Sequence, residues 1–407
     1  MKTREWLGAL RERNFTLYFI GQTTSGIGSG MAPVAITFAV LEHGTTTDVG
    51  LVSAAGMLPL VVFLLIGGVF ADRFSRRVVM LGSDLVRTAA EIALGIWILC
   101  TPPPLWGFMA LAAVVGFGSA FFSPASTGLV PSVISPENLQ QANALNTLSA
   151  SMSGIIGPAA AGVIVAAANP GWAVLIDGMT YLVSVASLWL IKIEWSGTLT
   201  TTSMWHELRE GWREFWSRTW LWVIVVEFSV VNILIFAPMM VMGPGIAKQS
   251  LGGAAVWGLV LAVEGAGAVT GGMLMLRWKP RRPLLVATAS TLVWVWPLIG
   301  LATLAPVWVI ASGAFAGGAM MSIFGTIWNT TMQREIPSEI LSRVSAYDWF
   351  GSLVFLPVGL ALVGPVQHAL GTRTSIVGCV ILILMMVGAA LCVPSIQSMR
   401  TPEDTPA

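Results

Sequence analysis

The chain has 407 residues, 55% of them hydrophobic and only 10% charged; an ordinary soluble domain carries roughly 25% charged residues, so a water-soluble globular protein is excluded. Lys and Arg number 21 against 20 Asp and Glu, a net charge of +1 that leaves no basic face for nucleic acid. Cys100, Cys379 and Cys392 lie in apolar stretches without the paired spacing of disulfides or zinc sites, and are read as lipid- or core-facing fillers.

Along the chain, Met1 to Asn14 is polar and basic. The apolar block after it is too long for a signal h-region and lacks an A-x-A site, so it is read as a retained first helix. A helix needs about 20 apolar residues to cross the hydrocarbon core, and twelve such blocks follow: 15-41, 49-70, 78-100, 105-127, 144-167, 172-192, 219-242, 254-276, 284-304, 307-330, 345-366 and 374-394. Between the sixth and seventh, Ile193 to Arg218 is the longest polar stretch, with a Thr/Ser run from Ser196 to Ser203. It closes in an amphipathic helix. Trp205, Leu208, Trp212, Phe215 and Trp216 share one side, and Glu207, Arg209, Glu210, Arg213 and Glu214 the other. That pattern suits a linker lying on the cytoplasmic interface, or a regulatory surface helix.

Positive charge sets the orientation, because Lys and Arg resist translocation. Among the segments outside the spans, only Lys248 and Arg373 fall in one alternate set of loops; Arg87 lies inside a span, and every other Lys and Arg falls in the other set with both termini. Both termini are therefore expected in the cytoplasm of a cell, taken to be bacterial, with the chain in its inner membrane. The two halves repeat. Ala32-Pro33 matches Ala237-Pro238, and Gly50-Leu51 matches Gly258-Leu259. Gly67-Gly68 with Arg73, Arg76 and Arg77 matches Gly271-Gly272 with Arg277, Arg281 and Arg282, while Glu137, Leu139 and Ala144 match Glu339, Leu341 and Ala346. The expected fold is an all-α integral membrane protein of twelve transmembrane helices in two pseudo-symmetric six-helix bundles. Residues 1-195 form the first bundle, 196-218 the cytoplasmic linker and 219-407 the second.

Helix 2 ends in Gly68-Val69-Phe70-Ala71-Asp72-Arg73-Phe74-Ser75-Arg76-Arg77. With the 6+6 plan, this run resembles the G-x-x-x-D-R-x-G-R-R loop of the major facilitator superfamily, with Ser75 where Gly is usual. The resemblance implies a gate in which Asp72 and the arginines lock the bundles together, and pseudo-symmetry suggests Asp348 as a partner of Arg76 or Arg77. In helix 5, Gly154-Ile155-Ile156-Gly157-Pro158-Ala159-Ala160-Ala161-Gly162 is similar to the Gly-Pro motif of drug/proton antiporters of that superfamily; plain close packing through small residues explains it as well. Phe122-Ser123-Pro124-Ala125 and Leu139-Gln140-Gln141-Ala142-Asn143-Ala144-Leu145 resemble the branch containing enterobactin exporters and macrolide-efflux proteins. Export is the activity that this resemblance implies.

An ionisable group in hydrocarbon costs at least about 2.5 to 3.5 kcal/mol on insertion scales, so it must be paired, neutral or in a polar cavity. Asp84, Arg87 and Glu91 share one face of helix 3 at i, i+3 and i+7. One carboxylate can neutralise Arg87 and leave the second for proton exchange; a structural ion-pair cluster fits the same spacing. Glu264, about ten residues from either end of helix 8 with no basic residue close in sequence, is the leading proton-carrier candidate, or, between Gly265 and Gly267, a protonated carboxyl bridging helices; Glu227 in helix 7, with Asn232 beyond it, is next, or bonds a neighbouring helix. Asp177 and Asp348 lie nearer span ends, where helix-end or loop pairing is expected. Gln22, Thr23 and Ser25 give helix 1 a polar face suited to line a pathway, and Phe236, Met239 and Trp328 are candidates for its apolar wall or for plain core.

These features point to a proton-coupled exporter of small amphipathic molecules such as drugs, antibiotics or siderophore-like compounds, working by alternating access as a monomer in the bilayer. Its partners are a small-molecule substrate and protons, with no nucleic acid, cofactor or metal. An importer or facilitator is the alternative within the class. A membrane-embedded enzyme or a non-transporting sensor is the alternative outside it, although the chain has no G-x-x-x-x-G-K-[ST], no H-E-x-x-H and three widely separated histidines.

Overall fold

The structure, a computed structural model, describes residues 8–135, 138–192, 204–275 and 278–400, with the backbone alone at 65–73, 140, 144, 204–208, 210, 333, 338–343 and 346. Residues 196–203 of the linker and the side chains of Gly68, Asp72, Arg73, Trp205 and Leu208 lie outside the described residues, as do the repeat landmarks Glu137, Ala144, Arg277, Glu339, Leu341 and Ala346. Contacts group the chain into two compact units, Met1–Leu199 with Gly252–Ala262, and Thr200–Leu251 with Val263–Ala407. No strand occurs among the described residues. Eleven helical stretches among them are long and apolar enough to cross a membrane, and a twelfth, discussed next, is long enough but more polar.

Unit 1 is built on α1 (Arg13–His43), α2 (Thr46–Arg73), α3 (Arg76–Cys100), α4 (Leu105–Val133), α5 (Leu139–Ala167) and α6 (Pro170–Leu190). The joins are short and their caps legible. Thr45 and Asp48 form a reciprocal box at the start of α2, the Thr45 N–H donating to Asp48 Oδ2 at 2.7 Å and the Asp48 N–H to Thr45 Oγ1 at 3.4 Å. Asn169 accepts the Gly171 N–H at 2.7 Å ahead of Pro170 in the first turn of α6. The twelfth span is α3, which is polar on the inside and apolar on the outside. Ser83, Asp84, Arg87, Thr88 and Glu91 are buried, while Val78, Leu85, Val86 and Ile96 are exposed on the other side. Such inversion is what a lipid solvent selects, because the bilayer accepts Leu and Ile and rejects the charges. Around it, α3 packs on α4 and α6, α1 on α5 and α6, and α2 on α4.

Ahead of α1, Glu12 accepts the Ser135 N–H at 2.9 Å, the Asn138 Nδ2–H at 2.8 Å and the Ser135 hydroxyl, tying the N-terminal turn to the α4–α5 join. The Ser135 hydroxyl first, then Asn138, holds the Glu12 carboxyl below its ordinary range. A depressed folded value adds stability above the ordinary Glu pKa, and that contribution is lost as pH falls through the folded value. Glu12→Gln is thus expected to lower the melting temperature modestly at pH 7, with the gap to wild type closing below about pH 4. A gap independent of pH would contradict this role.

Unit 2 begins with α7 (Met204–Ser217), followed by α8 (Thr219–Ala237) and the one-turn α9 (Gly243–Ile246). Next come α10 (Ala254–Met275), whose first turns group with unit 1, and α11 (Pro283–Ser290) and α12 (Val295–Ala302) in one span. The unit closes with α13 (Val307–Glu335), α14 (Ser338–Leu353), α15 (Leu356–Leu370), α16 (Thr372–Leu391) and α17 (Pro394–Ser398). The expected amphipathic helix is α7, and its apolar side is seated in part, with Trp212 and Trp216 about half exposed. Phe215 is buried in a cluster with Trp220, Leu221, Ile224, Leu284 and Ile327, and Trp212 packs on Tyr347 of α14 with ring centroids 5.4 Å apart.

Several spans run past their expected bounds, the second over Thr46–Arg73, the fourth on to Val133 and the fifth from Leu139, and two others change more. The seventh runs on from 242 to Leu251, so Lys248, expected in a loop, lies on a helical turn. Pro238 and Pro244 lack the N–H that an α-helical ladder needs, and π-turns at Pro238–Met242 and Ala247–Leu251 carry the chain on. It stops at Gly252 and Gly253, whose φ of 101° and 84° only glycine adopts freely. The eleventh starts at Ser338 rather than 345 and breaks at Val354 and Phe355, just ahead of Pro357.

Candidate functional site

Arg87 occupies the middle of unit 1. Its guanidinium pairs with Asp84, one turn earlier on α3, and is covered on two sides by rings, Phe122 of α4 at 4.1 Å and Tyr181 of α6 at 4.4 Å to the centroid. The second Asp84 oxygen accepts the Ser184 hydroxyl at 2.6 Å, and Gln22 Nε2 of α1 donates to that hydroxyl at 3.3 Å. One turn past Arg87, Glu91 is 2% exposed. Opposite it stands Asp177 of α6, fully buried, with Thr180 Oγ1 at 3.4 Å. Arg87 acts electrostatically on both Glu91 and Asp177, and Asp177 acts on Glu91. Glu91 Oε2, Asp177 Oδ2 and Arg87 Nε are buried without a hydrogen-bond partner among the described residues.

Glycines admit this crowding. A Cβ on Gly178 would stand 3.2 Å from the Glu91 Cβ and 2.9 Å from the Ile92 nitrogen, so α6 meets α3 there only as glycine. A Cβ on Gly28 of α1 would overlap the Asp177 carboxylate and the Thr180 hydroxyl. Three carboxylates thus lie around one guanidinium, which is paired with Asp84, in a water-poor interior. Fully ionised, they would leave two uncompensated negative charges where even one is costly. Such an arrangement can take up and release a proton.

Sequence spacing placed Asp84, Arg87 and Glu91 together, and they are together. It misplaced Asp177, expected to pair at a helix end: the carboxylate instead faces α1 and α3. Distance from a span end does not say which way a side chain points. The missed signal is Asp177, Tyr181 and Ser184 at i, i+4 and i+7, a polar stripe on α6 matching the one on α3.

In unit 2, buried Glu227 accepts the Thr291 hydroxyl at 3.3 Å and keeps Oε2 unpartnered. Asn232 donates to the Ser352 carbonyl at 3.1 Å. Asn232, Phe236, Thr291 and Trp294 line a narrow cleft, and Met239 is buried in the π-turn beyond. Trp328 is core, its indole N–H donating to Asp348 at 2.9 Å, so Asp348 is held inside its own unit rather than at a helix end. Glu264 is half-buried on α10, where Gly318 of α13 abuts its backbone carbonyl.

On α1, Thr23 accepts the Ser149 hydroxyl of α5 at 2.8 Å, and Ser25 is buried. The helix-5 motif packs as small residues do. Gly157 meets the Gly30 backbone with Pro158 beside it, Gly162 lies against Ala254 and Gly258, and Gly154 faces open space. Of the arginines expected at the gate, Arg76 donates to the Gly128 carbonyl at 2.6 Å, and Arg77 to those of Leu188 and Trp189 at 2.7 Å each, closing the last turn of α6. A cavity of about 440 Å³ opens at the other end of unit 1, but its Asp48 and Asn169 are spent on capping α2 and α6.

The family model described as Major Facilitator Superfamily matches residues 18–352. The chain belongs to this superfamily. Among its members, the multidrug efflux pump Tap of Mycolicibacterium fortuitum is 26% identical, over 94% of this chain and 96% of that protein. Macrolide efflux protein A of Streptococcus pyogenes is 24% identical over 86% and 88%, and the enterobactin exporter EntS of Salmonella typhimurium 24% over 92% and 92%. The likeness to the branch of enterobactin exporters and macrolide-efflux proteins therefore holds over nearly the whole chain. The major facilitator fold is shared with a solved mutant of the nucleoside transporter NupG, at a TM-score of 0.74 and 9% identity, over 93% of this chain and 99% of that one. This superfamily member is a multi-pass membrane transporter rather than an enzyme.

Proposed function

We propose that the protein is a proton-coupled exporter of small amphipathic molecules, working by alternating access as a monomer in the bacterial inner membrane with both termini in the cytoplasm. What supports the coupling is the grouping of buried Asp84, Glu91 and Asp177 around the single Arg87, which is paired with Asp84. Asp84 serves as the standing counter-ion, since its two oxygens are taken by Arg87 and Ser184. Glu91 and Asp177, each with an oxygen unpartnered, carry the exchangeable proton. Glu264 and Glu227 are the candidates for a second proton site in unit 2. Export is supported by the three relatives named for efflux or export. The Asp72 loop with Arg73, Arg76 and Arg77 serves as the cytoplasmic gate, without Asp348, which Trp328 holds.

Inside-out vesicles energised to an acid interior, given lipophilic drugs, macrolides and catecholate compounds, test this reading. At least one compound is expected to accumulate, and the accumulation to collapse when nigericin dissipates the pH gradient. Accumulation that survives nigericin would contradict proton coupling, and equilibration without accumulation would make the protein a facilitator.

A further inference from the structure

Tyr181 touches both the charged cluster and α1. Its ring lies over the Arg87 guanidinium at 4.4 Å, and its hydroxyl is 2.8 Å from Ser29 Oγ. The neighbouring bond assigns its direction. Ser29 spends its single hydroxyl proton on the Ser25 carbonyl at 2.9 Å, so the Tyr181 O–H is the donor and Ser29 Oγ the acceptor. Ser29 follows Gly28, the residue at which α1 rests on the Asp177 carboxylate. Two adjacent residues of α1 thus feel the cluster, one by direct contact and one through the phenol. Ser25 and Gln22, one and two turns back, belong to the polar face of α1.

We propose that Tyr181 is a positioning residue which passes the charge state of the Glu91–Asp177 pair, through Arg87, to Ser29 and so to the polar face of α1. The inference rests on the coupling reading above. When Glu91 and Asp177 lose their proton, the guanidinium is drawn from Asp84 toward them, since opposite charge in a poorly solvated site dominates the local forces. The ring stacked on it follows, and its hydroxyl carries or releases Ser29. The charges facing Tyr181 are accounted for by element. From α3 come Asp84, Arg87 and Glu91, and from α6 Asp177; α4 and α5 contain no titratable residue, and those of α1 are Arg13, Tyr18, Glu42 and His43, toward its two ends. Tyr18 is bonded to Ser126 at 2.9 Å.

Tyr181→Phe keeps the ring over Arg87 and removes the donor. Ser29→Ala removes the acceptor, and Ser29→Thr restores it. In liposomes with a transported compound, Tyr181→Phe and Ser29→Ala are each expected to lower the maximal rate about 2- to 10-fold, the range of one neutral hydrogen bond. KM should be unchanged, the pH–rate profile displaced, the double variant no slower than either single one, and Ser29→Thr near wild type. A fall in melting temperature with rate and pH profile unchanged would overturn the proposal, as would additive losses. Asp177→Asn and Glu91→Gln, measured in parallel, separate the two claims. If they flatten the pH profile while Tyr181→Phe leaves it in place, the link alone fails; if they leave it as in wild type, the coupling reading fails first.

Discussion

Arg87→Met is expected to be the most damaging single substitution in unit 1. Removing one partner of a buried ion pair leaves the other uncompensated, at a cost of about 3–5 kcal/mol. Asp84 would keep its Ser184 bond but lose its counter-ion, and Phe122 and Tyr181 would face a thioether where a cation had filled the space between them. The variant should therefore appear in the membrane at low yield and aggregate on extraction. Arg87→Met with Asp84→Asn replaces the pair by neutral groups of similar size, and much of the yield and melting temperature should return, without transport. Size-exclusion profiles of detergent extracts after graded heating read both outcomes. An Arg87→Met protein as heat-stable as wild type would mean that the guanidinium does not hold the cluster together.

The second large effect is expected at the unpartnered carboxylates. Asp177→Asn and Glu91→Gln preserve shape and remove the exchangeable proton, so neither should unfold the protein. Each is expected to reduce gradient-driven accumulation at least about tenfold, the effect of losing some 1.4 kcal/mol or more of coupling. Exchange of labelled for unlabelled substrate, which needs no net proton movement, should persist. Counterflow assays in proteoliposomes beside gradient-driven uptake measure the two. Equal loss of both would assign Asp177 and Glu91 to substrate binding or to architecture. Retention of both would remove them from the mechanism.

What the sequence could and could not convey follows from where the information lies. The spans were legible because hydrocarbon demands uninterrupted apolar length, and the interrupted spans have prolines at or just past the break: Pro238 and Pro244 in the seventh, Pro297 in the ninth and Pro357 in the eleventh. On α3 the three charges reveal their common face, since a helix fixes which neighbours i, i+3 and i+7 must be. Asp177 was unreadable by that rule. Its partners Glu91 and Arg87 sit on another helix, and only packing, through Gly178 and Gly28, brings α6 and α1 against them. Trp328 shows the same limit: an aromatic residue suited to a substrate wall is a core residue whose indole N–H satisfies Asp348.

The central claim is that Glu91 and Asp177 exchange a proton against substrate. Purified protein in liposomes holding a pH-sensitive dye tests it most directly, with a transported compound added in the absence of any imposed gradient. Wild type is predicted to move protons opposite to the compound, in fixed ratio to it, and Glu91→Gln with Asp177→Asn to move the compound with no proton signal. A proton signal of wild-type size in that double variant would contradict the account.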